Sequence, residues 1–205
     1  MTTTKTLYKY RDLQGNGFKW FVDIVLNERL HACNFQKLRK EKNDPKEGSY
    51  YPIISDEDVL KIFEEKIASQ KSRLKICSLT EDDNSDKMWK EYAENHKGVI
   101  VVVQLDERKC EPINYVETFP LISETEKVNH SEVAKTILKH KRLEFSYEKE
   151  VRILTTNRDD YIKVKVKEII AGKNMPDEEF EFIKKLISKI NSGISVKSQK
   201  CNENQ

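Results

Sequence analysis

No run of apolar residues in this chain approaches the roughly 20 needed to cross a bilayer. The N-terminal segment lacks the apolar core of a secretory signal, so a cytoplasmic protein without membrane contact is expected. Four cysteines, Cys33, Cys77, Cys110 and Cys201, lie far apart and form no CxxC pair. The four histidines add no metal-ligand spacing. Reduced, inert thiols and no bound metal are expected. There is no Gly-rich phosphate loop, no GxSxG elbow and no HExxH helix, which sets aside the hydrolases those motifs mark. An excess of one charge is missing too: 37 bases stand against 35 acids. That balance does not itself argue for nucleic acid, but it leaves room for a local basic patch.

Charged residues make up 35% of the 205 residues and hydrophobic ones 37%, a charged surface around a modest core. This length suits one domain with a short tail. "TKTLYKYRDL" alternates like a strand, with Tyr8 and Tyr10 on one face and Lys9 and Arg11 on the other. "GNG" is a turn. "FKWFVDIVLNERL" is an amphipathic helix with a stripe of Phe18, Phe21, Val22, Val25 and Leu26, widened by Trp20 and Ile24. A short strand, "LHACNF", precedes an irregular loop, "RKEKNDPKEGSYYP". "SDEDVLKIFEEKIASQ" is a helix capped by Ser55 that buries Val59, Ile62, Phe63 and Ile67.

"RLKICSLT" is a strand, and "KMWKEYAENHKG" a short helix closed by Gly98. "VIVVVQLD" is apolar throughout, as in a central strand. "EPINYVET" is a strand and "SEVAKTILKHKRL" a helix from near Ser131. "FSYEKEVRIL" has strand composition. In "YIKVKVKEIIAG", Ile162, Val164 and Val166 point inward, and "DEEFEFIKKLISKI" is a last helix. No repeat or long linker divides the chain. The pattern predicts an α+β fold: a single domain over 1–196, with a mixed or antiparallel sheet and flanking helices. Residues 197–205 are expected to be a polar, disordered tail that follows one last short strand.

Several groups carry chemistry. Glu148, Glu150 and Arg152 alternate, so a strand puts all three on one face. They are either a solvated strand face or a carboxylate pair that stabilises positive charge or handles a proton, kept ionised by Arg152. Lys9, Tyr10 and Arg11 are either an exposed edge or a phosphate grip with an aromatic able to stack. Trp89, Tyr92 and His96 fall at i, i+3 and i+7, on one helix face. They are either core packing or a stacking wall for a nucleobase or nicotinamide. Ser78 and Thr80 alternate on their strand, in a cleft or at its rim.

The pieces "LYKYRDL", "NDPKE", "CSLT", "MWKEYAENHKGV" and "YEKEVRIL…VKEIIAG" occur in that order. Together they resemble a bacterial domain family of unknown function. Its members carry LYKYR, an FNDP loop, a CFSE strand, MW-x-x-YA-x-x-H-x-GV, and W-x-YE-x-E-x-R followed by IILG. The resemblance runs from Leu7 to Gly172. The chain departs from it at Lys42, where the family has phenylalanine, at "CSLT", and at Phe145, which stands in for the tryptophan before YE. More distantly, the "LY" first strand, the serine-bearing middle strand and the late "EKEVRI" strand are similar to ADP-ribosyltransferases.

That second resemblance implies a split sheet holding NAD, and a late-strand glutamate that stabilises an oxocarbenium ion as nicotinamide leaves. Glu150 matches that glutamate, and Glu148 the first acid of an E-x-E pair. Lys9 or Arg11 matches the first-strand residue that holds NAD, with Tyr10 between them; the family's histidine is missing there. Ser78 or Thr80 matches the middle-strand hydroxyl. Trp89, Tyr92 and His96 would wall the flat rings, and Arg152 would keep the acids charged. The implied activity transfers ADP-ribose to RNA, DNA or protein, in a toxin or phage-defence setting, with an antitoxin protein as partner and no metal. Two other classes stay open. A binding module without catalysis would use basic residues at 37–42 and 139–142 on nucleic-acid phosphates. A nuclease would hold magnesium or manganese on Asp44, Glu148 and Glu150.

Overall fold

The computed structural model describes residues 3–41, 44–123, 129–156 and 160–202, except for the side chains of 39–41 and 201–202. Its first elements are β1 (Thr4–Arg11), α1 (Asn16–Asn27), β2 (Arg29–His31), β3 (Cys33–Asn34), α2 (Phe35–Glu41), β4 (Tyr51–Pro52) and α3 (Glu57–Arg73). Next come β5 (Lys75–Thr80), α4 (Asp86–Tyr92), β6 (Val99–Asp106), β7 (Glu111–Pro112), β8 (Asn114–Val116), β9 (Leu121–Ile122) and α5 (His130–Leu138). The last are β10 (His140–Arg142), β11 (Glu150–Thr155), β12 (Tyr161–Lys163), β13 (Lys165–Ala171), α6 (Asp177–Ile190) and β14 (Ser195–Ser198). A 3-10 turn, Leu143–Glu148, joins β10 to β11. Among the described residues no helix is long and apolar enough to cross a membrane.

The fold is α+β, built on a mixed sheet with flanking helices. The sheet runs β14-β13-β6-β1-β5-β11-β7, and β3 also pairs with β5. Neighbours are antiparallel except β13 and β14. β6 is apolar from Val99 to Val103 because both of its faces are covered there. Val99, Val101 and Val103 pack with Phe21 and Val25 of α1 and Ile183 and Ile187 of α6. Ile100 and Val102 pack with Met88 and Trp89 of α4. The same alternation sorts the next strands. Cys77, Leu79, Val151 and Ile153 join the α1–α6 core. Ser78, Thr80, Glu150 and Arg152 therefore share the opposite face. Register sets Glu150 beside Thr80 and Arg152 beside Ser78.

β1 and β5 hardly touch. β1 is laddered to β6 from Thr4 to Arg11, but meets β5 at one register position, Tyr8 opposite Thr80. β11 occupies the other edge of β5, so β3 must share the edge with β1, pairing at Ile76 and Lys75. Between these two anchor points β1 and β5 diverge, and a cleft opens.

Several elements differ from the sequence reading. "FSYEKEVRIL" is a strand only from Glu150. "LHACNF" and "EPINYVET" each break into two pieces, and α2 extends into the expected loop through Glu41. The helix from 131 starts at His130, capped by Asn129, and stops at Leu138; the "HKR" after it is β10. The cap of α3 is Asp56, which accepts from the N–H groups of Asp58 and Val59, both at 3.0 Å. α3 packs along one side against α5. Phe63 and Ile67 are buried there, whereas Val59 and Ile62 are 38% and 50% exposed. In α1, Phe21, Ile24 and Val25 are buried, but Leu26 is exposed. The inward positions Ile162, Val164 and Val166 are all buried, as the alternation predicts. β14 is the expected last strand, but it runs on to Ser198 and is followed by a 3-10 turn, Gln199–Asn202, where a disordered tail from 197 was expected; 203–205 lie outside the described residues.

α4 ends at Tyr92, not at Gly98. Glu94, Asn95 and His96 all take left-handed φ values, 52°, 50° and 65°. Such a run is unfavourable for residues with a Cβ. It is held by Asn174, whose N–H donates to the His96 carbonyl at 3.0 Å and whose side chain donates to the Asn95 carbonyl at 2.9 Å. Gly98 and Gly172 are needed for closeness. A Cβ on Gly98 would run into the Arg11 carbonyl oxygen, and one on Gly172 into that of His96. Gly172→Ala is expected to lower stability by about 1–3 kcal/mol, as overpacking does. Urea denaturation checks it; an unchanged midpoint contradicts the packing described here.

Candidate active site

Glu148 and Glu150 do not lie on one strand. Glu148 ends the 3-10 turn, Lys149 takes a left-handed φ of 41°, and β11 starts at Glu150. That turn brings both carboxylates into the same interior. They are 2% and 4% exposed, so the solvated strand face is overturned. Lys141 of β10 lies between them. Its Nζ donates to Oε2 of Glu148 and, at 3.1 Å, to Oε2 of Glu150. The Tyr92 hydroxyl, at the end of α4, donates to Oε1 of Glu148 at 2.7 Å.

Arg152 extends the network. Its Nε donates to Oε1 of Glu150 at 2.8 Å, and its Nη1 and Nη2 grip both oxygens of Glu47 at 2.7 and 3.0 Å. Nη1 also donates to the Leu138 carbonyl at 2.6 Å. The Glu150 N–H donates to the Tyr115 hydroxyl at 2.7 Å. All five charged residues, Glu47, Lys141, Glu148, Glu150 and Arg152, are buried. A lone charge there would cost several kcal/mol, so mutual pairing is what lets them stay charged.

The titration shifts follow from this geometry. Burial alone would lower the Lys141 pKa, but the charges of Glu150 and Glu148 outweigh it and raise the value. Arg152 likewise gains more from Glu150 and Glu47 than burial takes away. Burial, and then the Glu148 charge, push the Tyr92 hydroxyl up, so it stays a donor. Burial pushes Tyr115 up to about 12. Of the five residues, only Glu148 and Glu150 line the cleft.

Lys9 of β1 reaches across that cleft and donates to the Ser78 carbonyl at 2.6 Å. Lys9, Tyr10, Ser78, Thr80, Tyr92, Glu148 and Glu150 line one small cavity of about 30 Å³. A second cavity, about 250 Å³, shares Lys9, Tyr10, Ser78 and Tyr92 and continues past Arg11 to Trp20 and His31. That size approaches the roughly 300 Å³ at which small-molecule sites begin. Lys9 and the acid pair therefore meet in the small cavity, and Arg11 lines the adjoining larger one. Ser78 Oγ is buried and has no hydrogen-bond partner among the described residues. Thr80 Oγ1 instead accepts from the Asp82 N–H at 3.0 Å, which commits it to a turn.

Compared with protein-family models, with curated proteins and with solved structures, the chain matches none.

Two of the three helix aromatics are not in the cleft. Trp89 is 1% exposed, with Tyr10 against it edge-on at 5.2 Å and His96 stacked on it at 5.4 Å. His96 Nε2 contacts Asp86 Oδ1 at 2.9 Å. The expected stacking wall is a core wall, and Tyr92 alone of the three lines the cavities. Arg152 is also fully buried, so it positions Glu150 and cannot grip a ligand. Glu47 and Tyr115 were not among the sequence candidates, and Lys141 was one only as a phosphate contact within the basic run 139–142. Glu47 closes the "NDPKE" motif, which reads as a turn. Lys141 sits in "KHKR", which reads as a phosphate-binding run but is buried at its second lysine. Lys37 lines the larger cavity, while the side chains of 39–42 lie outside the described residues. Asn43 lies outside them too. Asp44 pairs with Arg142 at 3.5 Å, and cations hold Glu148 and Glu150. Among the described residues no three His, Cys, Asp or Glu side chains gather to hold a metal ion.

Lys141→Met strands two buried carboxylates, and is expected to cost about 3–5 kcal/mol. Lys141→Met combined with Glu148→Gln is expected to recover part of that loss. Urea denaturation of both variants decides; equal stabilities contradict the bridge. The native Lys141 pKa lies above its ordinary 10.5. Its stabilisation is therefore full below that pH and is lost as pH rises through the higher native value. Wild-type melting temperature should fall more steeply than that of Lys141→Met above pH 10.5.

Proposed function

We propose that the protein is an ADP-ribosyltransferase-like enzyme that cleaves NAD and transfers ADP-ribose to a macromolecular acceptor, nucleic acid or protein. One observation carries the reading: Lys9 and Tyr10 of β1, Ser78 of β5 and the acids Glu148 and Glu150 line one cavity where β1 and β5 diverge. The divergence of these strands supports a split-sheet site. A toxin or phage-defence setting, with a neutralising protein partner, belongs to the same proposal.

The residues present suit the substrate. Lys9 and Arg11 are cations for the pyrophosphate, and Ser78 Oγ offers a hydroxyl to the ribose. When the bond between C1′ and the nicotinamide nitrogen breaks, its electron pair leaves with nicotinamide and C1′ becomes cationic. A fixed carboxylate at that point stabilises the developing charge, most strongly where water is excluded. Glu150 is fixed in that sense, with Arg152 and Lys141 on its oxygens. The acceptor nucleophile forms the new bond to C1′. Its proton passes to Glu148, whose two oxygens accept from Lys141 and Tyr92 while keeping further lone pairs.

The test is nicotinamide release from labelled NAD in the presence of cell extract. Glu150→Gln is expected to reduce the rate about 10²–10³-fold, the range for removing one electrostatic contact to a transition state. Lys9→Ala is expected to raise KM for NAD and to change kcat much less. Absence of release above the Glu150→Gln level, over nucleic-acid and protein acceptors alike, would falsify the proposal.

A further inference from the structure

A second cluster faces the cleft from its outer end. β2 and β12 form a two-stranded ribbon in which Tyr161 lies opposite His31 and Ile162 opposite Leu30. Leu30 and Ile162 point into the core. Alternation therefore leaves Arg29, His31 and Tyr161 together on the other face. The Arg29 guanidinium lies 3.7 Å from the centre of the Tyr161 ring, and Asp23 holds it through Nε at 3.1 Å and Nη2 at 2.7 Å. Tyr161 meets His31 edge-on at 5.7 Å. His31 lies 5.1 Å from Trp20 of α1, tilted by 43°. Trp20 has the composition of a core residue, but it sits on the flank of α1 and is partly exposed. Trp20 and His31 line the larger cavity beside Arg11 and Lys37.

We infer that this outer end of the cleft is a nucleobase site. Trp20 stacks the base, and Arg11 and Lys37 meet a phosphate carried on its ribose. The ladder from Asp23 through Arg29, Tyr161 and His31 fixes the indole before a ligand arrives, which lowers the cost of ordering it. Asp12 and Glu91 also line the cavity. They disfavour a bare anion and leave the base as the recognised feature. The base is supplied either by the adenine half of a dinucleotide or by a nucleic-acid strand. The assignment shares its cleft with the NAD reading but does not rest on it.

The chain has two tryptophans, and Trp89 is buried, so quenching by an added nucleotide reports Trp20. The full chain is titrated with AMP, with ribose 5-phosphate, and with a short single-stranded oligonucleotide at low and high salt. Fluorescence and calorimetry are read together. AMP or the oligonucleotide is expected to quench, and ribose 5-phosphate is not. Trp20→Ala is expected to weaken binding by about 5- to 150-fold, the span of base–aromatic stacking. Trp20→Phe keeps a stacking ring and should retain most of the affinity; thermal melts confirm that both variants fold. Quenching by AMP alone assigns the site to a dinucleotide. Quenching by the oligonucleotide alone, with affinity that falls with salt, assigns it to a strand. No quenching by either, equal quenching by ribose 5-phosphate, or unchanged affinity in folded Trp20→Ala overturns the site. Quenching without nicotinamide release removes the transferase reading and leaves this one; release without quenching does the reverse.

Discussion

Lys141 bridges two carboxylates that would otherwise repel each other in the interior. It can do so because β10 delivers one ammonium group, and the 3-10 turn with its left-handed Lys149 delivers one acid from each side. The wider arrangement hangs on this bridge. Glu150 is clamped from below by Arg152, which is itself clamped by Glu47. Glu148 is clamped by Tyr92 at the end of α4. Five segments distant in sequence, around residues 47, 92, 115, 141 and 150, are thus tied to one charged centre. Such a centre is a poor way to gain stability, since apolar residues of the same size commonly do as well or better. A cluster of this kind at the end of a cleft points to a use for its charge.

The hydrophobic layer makes that use possible. β5 and β11 give their Cys77, Leu79, Val151 and Ile153 side to the α1–α6 core, which leaves Ser78, Thr80, Glu150 and Arg152 together on the other side. The divergence of β1 from β5 then leaves a cleft against this buried polar face. Trp89, His96 and the paired glycines 98 and 172 hold the neighbouring turn so closely that the end of β1 and the end of α4 have fixed positions. The aromatics read from sequence as ligand contacts act one step back from the cleft, as the wall that places Tyr10 and Tyr92.

Much of this was legible in the sequence, and the remainder had physical reasons for hiding. The apolar run of β6 and the alternation in β13 gave their strands directly, because burial on both faces or on one leaves a periodic mark. Glu148, Glu150 and Arg152 were legible as a charged group of ambiguous meaning. Period-two alternation puts Glu150 and Arg152 on one face correctly, but brings Glu148 there for the wrong reason. A single left-handed residue at 149 does what a strand was expected to do, and a lysine carries no signature of that conformation. Lys141 was hidden because a buried lysine inside a basic run looks like its exposed neighbours. Glu47 was hidden because its partner, Arg152, is 105 residues away. The outer aromatic cluster escaped for the same reason: Trp20, His31 and Tyr161 are brought together by a ribbon of two three-residue strands.

A crystal structure with a non-hydrolysable NAD analogue shows whether the opening between β1 and β5 takes the dinucleotide. The nicotinamide ribose is expected at the β1–β5 opening, over the mouth of the small cavity rather than inside its volume of about 30 Å³, with the Glu148–Lys141–Glu150 bridge intact beneath it. An analogue bound away from the β1–β5 opening, or carboxylates swung out into solvent, would contradict that expectation.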